Sequence, residues 1–352
     1  MIRICIIIFA YLFLLLFNSC ENNPEYKDCI RFSFEDFPEP VFLHGEEVLF
    51  DEPLMLPNRI YIIDSLLFVK NRNTEFFLHK YNLNTLSKTG ECISFGSGPE
   101  EFIWLHKVIK GDSVTWLFDN QKSILHKYNR SDLLLSDSVS SFLKIYFEDH
   151  LDDILILQNG ETVGTALNPT RKKISFYNEK GDFIQTKGEY PDFGKSLTPL
   201  EQLEGFVGEM VISPDSKHIF FFHKQTDLIE IYDLDGNVVK RMHGPEHFFP
   251  QVVERNFDGM KKVGSVPNHS RDGYFCPQLG INEIFVLYSG AYYTPEQPNY
   301  LMHQLFVFDN DGNPIKRYLL DKSIFNFAVD TKSRKIYGIT DTPDFQIFQY
   351  SY

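Results

Sequence analysis

Two kinds of short apolar run alternate along this chain. The first is a pair of apolar stretches separated by a tight polar turn. It occurs at residues 59–70 (RIYIIDSLLFVK), 107–118 (KVIKGDSVTWLF), 152–165, 209–222, 273–288 and 327–340 (FAVDTKSRKIYGIT). The turns use Asp, Ser, Gly, Asn and Pro, as short hairpin connections require. The second kind is a β-rich run that ends on an aromatic, then a polar turn, then another short run. Its six copies close on Tyr81, Tyr128, Tyr177, Tyr232, Phe308 and Tyr350. No long stretch carries a 3.6-residue apolar period, so helices are a minor element.

The six closing aromatics are 47, 49, 55, 76 and 42 residues apart. A spacing near 50 with one long interval reads as a repeat array carrying an insertion. Two hairpin halves per repeat make about four strands, the pattern of a β-propeller blade. The expected fold is therefore all-β: a single six-bladed β-propeller over residues 41–352, with about four antiparallel strands per blade. The sixth copy stops after its third strand. The run VFLHGEEVLF, residues 41–50, has no repeat of its own. It is expected to supply the missing outer strand and close the ring, because an open edge would leave backbone groups unpaired.

Composition sharpens this picture. The chain has 352 residues, 34 of them Phe and 18 Tyr, residues that pack well on pleated sheets. Its net charge of −14 argues against a nucleic-acid partner, whose binding needs cationic contacts to phosphate.

The N-terminus carries a targeting signal. Arg3 precedes a 14-residue apolar stretch, ICIIIFAYLFLLLF, too short for an ordinary transmembrane helix and suited to a signal peptide. It ends in FNSC. The stretch resembles a lipobox, with small Ser19 before Cys20. Residues 1–19 are read as a signal peptide, Cys20 as the site of lipid attachment, and residues 20–40 as a tether. Cleavage removes one Arg and no acid, leaving −15. Cys29, Cys92 and Cys276 remain, without zinc-like spacing. Buried thiols are expected, a disulfide being the alternative. The expected location is the cell envelope, lipid-anchored, at the outer membrane and facing the periplasm or the surface.

The segment FGSGPEEF, residues 95–102, has the look of a phosphate loop. It lacks the Lys and Ser or Thr of such loops and does not lead into a helix. KGEYPDFG (187–194) and HGPEHFFP (243–250) stand at similar places in later repeats. All three are read as linkers between blades, with Phe102 anchoring the first in the core.

These features together resemble the TolB-like six-bladed propeller lipoproteins of gut anaerobes. The resemblance rests on FNSC, SGPEEF, SPDSKHIFF (213–221) and FVFDNDGNPIK (306–316). SPDSK is similar to the SPDGK turn of TolB-type blades, with Ser216 in place of Gly. The resemblance implies a fold and a compartment, and it carries over no catalytic residue.

Strand alternation places the inter-blade linkers and the loops between second and third strands on one face. Both long segments fall there: the linker from residue 243 to about 272 and the insertion at 289–303. Long loops on a rigid scaffold are where function usually sits. Tyr292, Tyr293 and Tyr300 offer stacking faces and hydroxyls to a sugar or peptide. Arg271, with Arg255, Lys261 and Lys262, could meet an anionic group, and His247 lies in the same linker. FEDHLDD (147–153) gathers acids, yet neighbours on a strand point to opposite faces, so a solvated connection is expected rather than a cation site. DLDG and DNDG read as hairpin turns. No metal, cofactor or catalytic residue is assigned. The function read from the sequence is an envelope binding module for a protein, glycan or peptide, working as a monomeric propeller. The alternatives are a glycan hydrolase or lyase in the axial funnel, and a structural subunit of an envelope complex.

Overall fold

The computed structural model describes residues 25–72, 74–295 and 300–352. Six antiparallel sheets succeed one another along the chain. Blade 1 consists of Pro57–Ile63, Leu66–Asn71, Phe76–Asn82 and Lys88–Ser94; blade 2 begins at Leu105, blade 3 at Leu151, blade 4 at Gly208, blade 5 at Tyr274 and blade 6 at Asn326. Within every blade the strands pair in chain order, each hydrogen-bonded to the next. Short turns favour this arrangement, since a two- to five-residue connection can only join antiparallel neighbours.

The repeated aromatic has a specific job. Tyr81, Tyr128, Tyr177, Tyr232, Phe308 and Tyr350 each stand at the end of a third strand and are at most 2% exposed. Each belongs to a cluster that contains residues of the preceding blade. Tyr128 of blade 2 packs with Phe68 and Phe77 of blade 1, and Tyr232 of blade 4 with Val163 and Phe176 of blade 3. Tyr81 of blade 1 packs with Tyr337 and Ile339 of blade 6, so the same contact closes the circle. The core is thus spread over six seams. A wide ring at a fixed place in each repeat fills each seam, which is why the period is visible as aromatics.

Blade 6 has three strands of its own, ending at Gln346–Ser351. Glu46–Glu47 pairs antiparallel with this last strand, Phe348 opposite Glu47, and supplies the fourth. Closure by the N-terminal run is therefore as expected. The same segment does more. Val41–Leu43 pairs parallel with the outer strand of blade 5, and Ile30–Arg31 pairs parallel with the outer strand of blade 4.

The stretch expected to be a tether is accordingly docked from Tyr26 onward. Tyr26 is 2% exposed and packs on Phe193, Phe206 and Phe249, with its hydroxyl 3.0 Å from Thr226 Oγ1. Phe32 and Phe37 are buried against Phe306 and Phe308. Isolated aromatics within a polar run carry no periodicity to read. Their partners come from segments far along the chain.

Local turn chemistry follows the sequence closely. Ser216 takes φ 59°, the left-handed conformation that glycine would hold in the similar SPDGK turn. Asp233 and Asp309 accept N–H bonds from residues two and four positions on, so DLDG and DNDG are self-bonded hairpin turns. Cys29, Cys92 and Cys276 are free thiols, all pushed up by burial, Cys276 to about 11 and the other two to about 12.

Candidate functional site

FGSGPEEF is a joint. Phe102 is fully buried, its ring tilted against that of His126 with centroids 4.4 Å apart, and its backbone bridges to Phe95. The Glu101 carboxylate turns back to accept the Gly98 N–H at 2.7 Å. Lys122 donates to the carbonyls of Gly98 and Glu101. The loop's own acid and a neighbouring lysine therefore satisfy groups that a phosphate would need.

The face that carries the linkers also carries three insertions on blades 3 to 5. The helix Pro199–Gly205 stands in the linker from blade 3 to blade 4. It starts with Thr198 as cap, whose side chain accepts the Glu201 N–H, and with Pro at its first turn. The hairpin of Val252–Phe257 and Met260–Ser265 stands in the next linker and packs on that helix: Glu201 Oε1 accepts the Glu254 N–H at 3.1 Å. Residues 289–295 open the long loop of blade 5. They are stitched to the preceding linker by Tyr293 N–H to Ser270 O and Asn268 N–H to Tyr293 O, both 2.8 Å.

Within this assembly Arg271 is fully engaged. Its guanidinium bonds Glu246 Oε1 at 2.6 Å and Gly290 O at 2.8 Å. It lies between two rings, 4.6 Å from the centre of Phe248 and 4.9 Å from that of Tyr292. Tyr292 thus rests on a fixed cation while remaining 51% exposed, and Tyr293 beside it is 38% exposed. The neighbouring Asp272 carboxyl is pushed up to about 6 by burial.

The expected residues divide into three groups. Tyr292 and Tyr293 form the exposed platform. Arg271 contacts the Tyr292 ring and is paired with Glu246. Tyr300 is engaged elsewhere, and the Nε2 of His247 is buried with no hydrogen-bond partner among the described residues. The ring of His247 faces His243 at 5.4 Å, with its pKa lowered by burial and by that neighbour. The Tyr300 hydroxyl donates to Asp341 of blade 6. Cys20 lies outside the described residues. Lys261 is paired with Glu254 at 2.7 Å, and Arg255 lies opposite Lys262 on the hairpin.

A second cluster lies on the propeller axis, where the first strands begin. Arg59 of blade 1 bonds Glu209 of blade 4 at 3.0 Å, and Lys224 bonds the same carboxylate at 3.0 Å. Lys107 of blade 2 bonds Asp153 of blade 3 at 2.8 Å. Burial would raise Glu209, but Arg59 and Lys224 outweigh it and hold the carboxyl well below its ordinary range. Burial raises Asp152. Burial and the nearby Arg59 lower His106. The acids of FEDHLDD are dispersed: Asp153 to this axis, Glu148 and Asp149 to Arg171. No residue pattern signals the pairs of Arg59 with Glu209 and of Lys107 with Asp153, since their partners lie in different blades.

Sequence reasoning also does not find a groove of about 310 Å³ beside blade 1. Its Lys88 bridges Glu52 and Glu91 at 3.1 and 3.2 Å.

Comparison with known proteins agrees with this architecture. A family model described as TolB-like 6-blade propeller-like matches residues 33–332. Two solved structures from Bacteroides are similar in fold. A member of the DUF4221 family from Bacteroides vulgatus is 8% identical, with TM-score 0.55, covering 88% of this chain and 95% of that one. A candidate exported protein from Bacteroides fragilis is 12% identical, with TM-score 0.52, covering 92% of this chain and 98% of that one. No curated protein matches.

Proposed function

This chain belongs to the TolB-like six-blade propeller family, and from that premise we propose that it is a lipid-anchored envelope protein that works as a binding module. The lipid is carried by Cys20, and the ligand is an envelope protein, glycan or peptide taken up on the linker face at blades 4 and 5. The description of the Bacteroides fragilis neighbour as a candidate exported protein supports the compartment. The observation that carries the binding reading is the Tyr292 ring, held on the Arg271 guanidinium and left half exposed. A ring already fixed in place loses little entropy on binding and suits an uncharged stacking partner. Purification of tagged protein from its own membranes tests this. A ligand retained by the native chain should be lost when residues 291–301 are replaced by a short Gly-Ser link.

A second reading is a glycan hydrolase or lyase at the axis. It draws on Asp152 being raised while Glu209 is lowered, the separation an acid and a base need. Glu209 is, however, matched by two cations, which leaves it poorly placed as a base. Glycan turnover that disappears in Asp152→Asn would favour this second reading.

A further inference from the structure

We propose that the tip of the hairpin at residues 252–265 inserts into the surface of the bilayer that holds the lipid anchor, turning the linker face of blade 4 toward the membrane. This rests on the reading of Cys20 as the lipidated residue.

The hairpin is built to stand off the body. Its foot is buried at Val252, and exposure rises along both strands toward the tip. At the end, Phe257 pairs with Met260 across an Asp258-Gly259 turn with φ 50° and 81°, the two-residue turn that closes a tight hairpin. Phe257 is 63% exposed and Met260 61%. Apart from its chain neighbours, no heavy atom of the protein lies within 4 Å of where a Cβ on Gly259 would stand. An aromatic and a thioether at the end of a projecting ribbon contribute nothing to the core.

Three observations select a lipid surface as the occupant. The first is position. Tyr26 docks on Phe249, just before the hairpin begins at Val252, so the N-terminal segment joins the body at the hairpin's foot. The second is length. The few residues between Cys20 and Glu25 reach at most about 18 Å when fully extended. Each hairpin strand has six residues, a rise of about 20 Å. The stretch from Glu25 to Cys20 and the hairpin are therefore of comparable length, which lets anchor and tip meet one surface. The third is charge. In a chain of net −14, the outer part of the hairpin carries Arg255, Lys261 and Lys262 against Glu254 and Asp258. Lys262 lies 5.7 Å from the Phe257 ring, an apolar tip with a long cationic neighbour able to reach back to headgroups.

The test uses lipidated full-length protein reconstituted in vesicles of phosphatidylethanolamine and phosphatidylglycerol, with and without brominated acyl chains. Phe257→Trp reports on the tip, and Leu135→Trp, in blade 2 between the third and fourth strands, is the control. The signal of Trp104 and Trp116, recorded from the unsubstituted chain, is subtracted from both. Mass spectrometry of the N-terminal peptide establishes lipidation independently. The expected result is a blue-shifted emission from Phe257→Trp, quenched at least twofold by brominated lipid, with the emission from Leu135→Trp unquenched. Lipidated, vesicle-bound protein whose tip emission stays unquenched would overturn the hairpin proposal and leave the anchor standing. Protein without lipid on Cys20 that does not float with vesicles would overturn both. A tip emission unquenched in vesicles but shielded in native membranes would overturn the lipid assignment in favour of a protein partner.

Discussion

Arg59 on the first strand of blade 1 and Glu209 on the first strand of blade 4 meet across the propeller axis, Nη2 to Oε1 at 3.0 Å. These blades stand opposite one another in the ring, so the pair ties two half-rings together. Arg59→Leu leaves the Glu209 carboxylate buried with Lys224 as its remaining cation. We expect a loss of about 3 kcal/mol, the low end for breaking a buried pair. Denaturant unfolding measures it, and an unchanged midpoint would mean the pair is dispensable.

Asp272 gives a prediction with a definite sign. Its folded pKa is about 6, above its ordinary 3.8, because burial disfavours the charge. An acid raised on folding contributes stability below about pH 4 that is lost as pH rises through 6. Asp272→Asn should therefore match the native protein at pH 4 and exceed it at pH 8 by about 2 kcal/mol. Melting temperatures across that range check it. A gain of equal size at both pH values would contradict the assignment.

Tyr26 separates a docked segment from a loose one. Tyr26→Ala should destabilise the propeller by about 3 kcal/mol, since the ring is enclosed by Phe193, Phe206 and Phe249. Tyr26→Phe should cost about 1 kcal/mol, the hydroxyl bond to Thr226 alone. Stability untouched by either change would restore the tether reading of this segment.

Cys20→Ala should move the protein from the membrane fraction to the soluble fraction. Membrane retention of this variant would refute anchoring through that residue. Among the described residues, no helix is long and apolar enough to cross a membrane.

Much of the architecture is legible because a propeller repeats one solution six times. The seam aromatics recur at the same strand position, and hairpin turns need Asp, Asn, Gly and Ser, so both leave marks in a single chain. The site is legible only in outline. Loop length locates the face and the exposed Tyr292, but nothing in the order of residues shows that Glu246 neutralises Arg271. The docking of Tyr26, Phe32 and Phe37 is hidden for the same reason, each being a single aromatic whose partners are distant. The helix Pro199–Gly205 escapes detection because its seven residues make too short a period, although Thr198, Pro199 and Glu201 spell a capping box.

The central claim is that the Tyr292 and Tyr293 platform binds. The most direct test is quantitative affinity purification from native membranes, comparing the native chain with the double variant Tyr292→Ala, Tyr293→Ala. The exposed rings add little to the core, so the melting temperatures should agree closely. We expect a ligand recovered in stoichiometric amount with the native chain and reduced at least tenfold with the variant. Equal recovery from both would contradict the claim and remove the platform from the binding surface.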